Sequence, residues 1–185
     1  MIHIANDGPA ALRAQLQLTL YRYSQPVGTR VAKMLTIDAA STREYPAVEL
    51  FEGFVDLSYA YRFGPPSYEV LHLSLRREQD GAALADTFHF PLGLPNTLEA
   101  EVGLSASAAA RGDDAFELNI RCKKFAQSVH VEVPGFIAED QYFHMAPQSS
   151  RTLALRPRTS SASGNPQGSV HALNAAAACR ISMAP

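Results

Sequence analysis

Val129-His130-Val131-Glu132-Val133 alternates apolar and polar side chains, and an apolar row returns at Leu153 and Leu155 ahead of Arg156-Pro157. In an extended chain successive side chains point to opposite faces, so the three valines line one face while His130 and Glu132 line the other. Between the two rows lies the polar-aromatic run Glu139-Asp140-Gln141-Tyr142-Phe143-His144-Met145-Ala146-Pro147. The pattern reads as strand, corner and returning strand of an antiparallel sandwich whose sheets bury one face each. Phe143 is expected to plug the core, and Tyr142 to anchor the corner through its hydroxyl.

The same period of two runs through most of the chain. Leu12, Ala14, Leu16, Leu18 and Leu20 alternate with Arg13, Gln15, Gln17 and Thr19, and the pattern recurs at Leu71, Leu73 and Leu75 and at Phe88 and Phe90. Leu98, Ala100, Val102, Leu104 and Ala106 read as one face of a further strand, as do Phe116, Leu118, Ile120 and Cys122. Short alternating runs separated by turn residues indicate sandwiches rather than a parallel, helix-wrapped sheet. Helical signals are few: Asn174 to Ala178 is too short to stand as a helix, and Glu49 to Phe54 allows one turn before Gly53.

The boundary between two strand-rich halves falls at Pro91-Leu92-Gly93-Leu94-Pro95-Asn96-Thr97, where two prolines and a glycine interrupt strand pairing. The expected domains are residues 1–95 and 96–185, with about six strands in the first and seven in the second. Arg158 to Gly168, rich in Ser, Gly and Pro, reads as a long exposed loop inside the second domain.

With 16 basic and 18 acidic residues in 185, the chain carries no basic footprint for nucleic acid or an anionic membrane. No apolar run approaches the roughly 18 residues that a spanning helix requires. Met1 to Asp7 lacks a basic region followed by an apolar stretch, and reads as a strand entering a turn; the compartment stays open between cytoplasm and periplasm. The six histidines show no His-x-His or His-Glu-x-x-His spacing, and there is no Gly-x-Ser-x-Gly elbow or phosphate-cradling glycine loop. No metal, no cofactor and no catalytic residue is expected. Glu99 with Glu101, and Asp113 with Asp114, read as solvated surface charge.

Several of these segments together resemble the two C-terminal Ig-like domains of a family 2 glycoside hydrolase of the beta-mannosidase type. Ile2-His3-Ile4-Ala5-Asn6-Asp7, followed by the strand Leu12 to Tyr21, resembles the opening of the domain after the catalytic barrel, with an Asn-Asp turn whose side chains bond the backbone two residues on. Phe125 to Val131 resembles the strand after a charged turn in the final domain. Asp140-Gln141-Tyr142-Phe143 resembles the family's Asp-Asn-Tyr-Phe corner, with Gln141 in place of Asn, and Pro147 with Leu153 resembles the proline and returning strand behind it. The resemblance implies an all-β chain of two tandem Ig-like antiparallel β-sandwich domains. It also implies a non-catalytic accessory part whose partners are the catalytic barrel and N-terminal domains of a parent glycosidase.

Retaining glycosidases need two carboxylates roughly 5 Å apart. In this family the acid/base glutamate directly follows an asparagine, and no Asn-Glu pair occurs in the chain. The alternative is a stand-alone module that binds carbohydrate or protein. Sugar platforms stack pyranose rings on exposed flat aromatics with polar groups beside them, which singles out Tyr59, Tyr61 and Tyr68 near Arg62, and Tyr142 beside His144. The same tyrosines also suit packing against the sandwich or a neighbouring barrel. Cys122 and Cys179 fall on two strands read as inward-facing, which suits an inter-sheet disulfide; the absence of Trp and of an export signal favours reduced thiols.

Overall fold

The computed structural model describes residues 1–51, 55–57, 65–94, 97–112, 115–159 and 164–184, with the backbone alone of residue 29. The chain divides into two compact units, Met1–Pro95 and Asn96–Pro185. It is nearly all β, and the sheets form β-sandwich domains as the alternation requires.

The first unit contains β1 (Ile2–Asn6), β2 (Leu12–Arg22), β3 (Gln25–Ile37), β4 (Ser41–Tyr45), a 3-10 turn at Ala47–Leu50, β5 (Val70–Arg77) and β6 (Ala83–His89). Four strands pair antiparallel in the order β3-β2-β5-β6, while β1 and β4 form a separate antiparallel pair. Ala14, Leu16, Leu18 and Leu20 from β2 meet Leu71, Leu73 and Leu75 from β5 in one core, and Ile4 of β1 packs into it. Burying a Leu in such a layer contributes about 1.5–3 kcal/mol, so these rows decide which face points inward. The β2–β3 hairpin turns at Tyr23 and Ser24, both with positive φ (49° and 60°). That is the primed turn geometry matching the twist of two paired strands, here without the customary Asn-Gly. Asn6 closes the unit: its Oδ1 accepts from the Gly8 N–H at 3.1 Å, the turn bond expected of it, and its Nδ2 donates to Ala10 and Asp38 carbonyls at 2.9 and 3.0 Å.

The second unit contains β7 (Ser105–Ala110), β8 (Phe116–Arg121), β9 (Ala126–Glu132), β10 (Phe136–Ala138), β11 (Phe143–Met145), β12 (Ser150–Pro157), β13 (Ser169–His171) and β14 (Cys179–Met183). The strands pair in the order β10-β12-β8-β7-β14-β13-β9-β11. All pairs are antiparallel except β14 with β7, where the sheet passes from one layer to the other. Leu118, Ile120, Leu153 and Leu155 of one layer and Val129, Val131 and Val170 of the other share a single core, with Phe143 plugged into it as expected. Gly168 permits the close approach of the backbone entering β13 to its neighbour β9, since a Cβ there would collide with the Glu132 carbonyl oxygen.

Two readings of the sequence change. The second unit has eight strands among the described residues rather than seven. Leu98 to Leu104 is not a strand with one buried face: Leu98 is 71% exposed, Val102 is buried, and β7 begins only at Ser105. Gly103, with a φ of 70° and the Lys123 side chain packed on it, turns the backbone out of the extended region just before β7. The turn near Leu50 forms, but Gly53 lies outside the described residues.

Candidate functional site

Tyr59, Tyr61 and Arg62 lie outside the described residues. Tyr68, which the sequence grouped with them, is no surface ring. It sits in the core of the first unit, its hydroxyl donates to the Asp56 carbonyl at 2.9 Å, and burial pushes its pKa up to about 12.

Tyr142 lies in the corner that joins β10 to β11, and His144 in β11 just beyond it. Asp140 organises its start: one carboxylate oxygen accepts from the Gln141 N–H at 2.7 Å and the other pairs with Arg151. The Arg151 guanidinium also lies 4.2 Å from the Phe143 ring centroid, a cation–π contact. Gln141 then ties the corner to β9. Its Oε1 accepts from the Val131 N–H and its Nε2 donates to the Val131 carbonyl, both at 2.8 Å. The side-chain amide thus pairs both backbone groups of Val131 as a neighbouring strand would.

Gln141 therefore does the anchoring that the sequence assigned to the Tyr142 hydroxyl. The Tyr142 ring stands out in solvent, 66% exposed, on a backbone with φ of 59°. It stacks on the His130 ring at 5.1 Å and 11° between planes. The His130 ring in turn lies 6.1 Å from that of His171, its register partner across the β9–β13 ladder. His171 Nε2 is 2.8 Å from the Ser169 hydroxyl and 3.8 Å from the Glu132 carboxylate. A row of rings thus crosses the outer face of β11, β9 and β13. Parity along β9 announced that His130 points outward; its neighbours across the sheet were invisible until the register was known.

His144 has a different role. Its Nδ1 accepts from the Ser128 N–H at 3.0 Å, where β9 bulges with Ser128 at a φ of 46°. Accepting at Nδ1 places the proton of the neutral ring on Nε2. Half-burial beside Phe125 lowers its pKa. His144 caps a bulge more than it lines a surface.

Glu99 is held by Lys124 at 2.6 Å, Glu101 is exposed, and Asp113 and Asp114 lie outside the described residues. One depression of about 210 Å³ in the second unit is lined by Ala100–Leu104 and Ala175–Cys179, with Glu101 its single carboxylate. Another of about 350 Å³, lined by residues such as Arg121, Lys123, Gln148 and Ser149, contains none. Among the described residues no three His, Cys, Asp or Glu side chains gather as metal ligands. Cys122 is buried with its thiol donating to the Ala146 carbonyl at 3.2 Å, and burial pushes its pKa up; Cys179 is half-buried and unbridged.

No protein-family model matches the sequence, and no curated protein sequence matches it. Solved structures do match. The chain superposes on a beta-D-mannosidase from Dictyoglomus thermophilum with a TM-score of 0.64 and 14% identity, covering 99% of this chain and 20% of that one. It superposes on an exo-chitosanase from Amycolatopsis orientalis with a TM-score of 0.63 and 14% identity, covering 94% of this chain and 24% of that one. The chain therefore spans about a fifth to a quarter of the length of the structures it matches. What it shares with them is fold, a β-sandwich architecture that occupies only that share of each of the longer chains.

Proposed function

We propose that the chain is a non-catalytic accessory region of a family 2 glycoside hydrolase, two Ig-like sandwiches following the catalytic barrel of a parent that removes terminal β-mannosides. The observation that carries this reading is the mannosidase superposition, in which 99% of this chain falls on a fifth of a far longer glycosidase. The Asp140-Gln141-Tyr142-Phe143 corner and the Asn6 turn, which resemble motifs of the beta-mannosidase type, support this reading. Cleaving a glycosidic bond with retention takes two facing carboxyl groups in a pocket, chemistry that this reading assigns to the barrel of the parent.

The partners are then the catalytic barrel and N-terminal domains of the parent. Leu98 and Leu173, 71% and 65% exposed, flank the bridge between Glu99 and Ala175 and supply apolar surface of the kind a domain interface covers. The test is the purified chain with p-nitrophenyl β-D-mannoside. Release of nitrophenol no faster than in buffer is expected. Turnover that scales with chain concentration and falls on replacing one of its own carboxylates would overturn the reading.

A further inference from the structure

We propose that the corner between β10 and β11 is a saccharide-stacking subsite, with the outer face of Tyr142 as its platform and a neutral hexopyranose as its ligand.

The first argument is exposure with support. Tyr142 is 66% exposed although His130 covers one face of its ring. With one face on His130 and two thirds of the residue exposed, the other face is open to solvent. A ring stacked on one side and open on the other is rigid and presents a flat apolar surface of the size of one pyranose. The His130 ring, itself beside His171, keeps the tyrosine upright.

The second argument is the backbone. A φ of 59° is unfavourable for a large side chain by about 1–2 kcal/mol, and glycine or asparagine relieves it. The position carries a tyrosine nonetheless, and the tyrosine contributes neither core burial nor a hydroxyl bond to a described residue. Gln141 on Val131 and Phe143 in the core fix the residues on both sides of it, so the ring is held without further ordering on binding.

The third argument is the polar groups in reach of the same corner. Asp140 and Arg151 are paired yet each remains about two-fifths exposed, with lone pairs and N–H groups left to meet vicinal hydroxyls. An uncharged sugar suits this pair. It adds no charge to a corner in which Asp140 is already balanced by Arg151. The site itself stands apart from the proposed parent enzyme; only the choice of a mannoside as first probe rests on that reading.

The experiment is titration of the ¹⁵N-labelled full chain with mannohexaose, cellohexaose and chitohexaose in its fully N-acetylated, uncharged form, followed by amide shifts. One stacked ring with a few hydroxyl contacts gives a Kd of about 0.1–1 mM, with shifts centred on Gln141 to Phe143 and His130. Tyr142→Asn is the informative variant: asparagine accepts the left-handed backbone, so the fold is kept while binding weakens about tenfold or more. Tyr142→Phe keeps the platform and most of the affinity. Binding of cellohexaose or chitohexaose but not mannohexaose keeps the subsite and counts against the mannoside parent. No saturable shift with any of the three, or binding that Tyr142→Asn leaves unchanged, overturns the subsite. Loss of a protein partner by Tyr142→Asn without any sugar binding would assign the ring to an interface and overturn it equally.

Discussion

At the scale of single residues, the amides carry more of the fold than the aromatics the sequence brings forward. Asn174 is buried, accepts the Gln127 N–H at 2.8 Å and donates to the Phe125 carbonyl at 2.9 Å. Asn174→Ala leaves two buried backbone groups unpaired and is expected to cost about 2–4 kcal/mol, read as a lower urea midpoint with unchanged slope. His144 gives a pH signature. Its pKa is lowered in the fold by burial from the ordinary 6.5, so below that value the unfolded chain binds a proton the folded one refuses. Its contribution is full above pH 6.5 and is lost as pH falls through the lowered folded value. His144→Asn, which keeps an acceptor near Nδ1 without titrating, should flatten this part of the urea-midpoint profile between pH 7.5 and 5; an unchanged profile would rule His144 out as its source. Of these residues, Asn6 was legible, because its bond is local; Asn174 bonds residues 47 and 49 positions away, which no local pattern announces.

At the scale of elements, strands with one buried face declare themselves and edges do not. β2, β5, β8 and β9 could be read directly because their rows of Leu, Ile and Val alternate cleanly. The long edge strand β3 could not. Most of it is exposed, so packing imposes no alternation on Arg30, Lys33 or Thr36, and its hairpin turns at Tyr23-Ser24, a pair with no turn signature. The corner was legible as a corner, but its working parts were not: Gln141 reaches a residue 10 positions back. An asparagine is one methylene shorter and cannot pair both Val131 groups from the same backbone position. Gln141→Asn should therefore speed amide exchange at Val131 by about tenfold or more and destabilise the second unit by about 1–2 kcal/mol. Unaltered protection at Val131 would mean that the amide pairing does not hold the corner.

At the scale of the whole molecule, each unit closes on its own hydrophobic cluster, and neither the depressions nor the ion pairs of the described residues assemble an acid and a base. Fold class was legible from periodicity alone, because period two persists through both halves. The proposed function was legible in the short motifs that resemble a larger enzyme, which no periodicity announces. That leaves the location of the reaction centre as the point on which everything turns. Sequencing the transcript that encodes Met1 tests it: a barrel bearing an Asn-Glu pair, in frame or in the adjoining cistron upstream, is expected. A transcript encoding these sandwiches with no such barrel anywhere on it would contradict the assignment of this chain to a glycosidase.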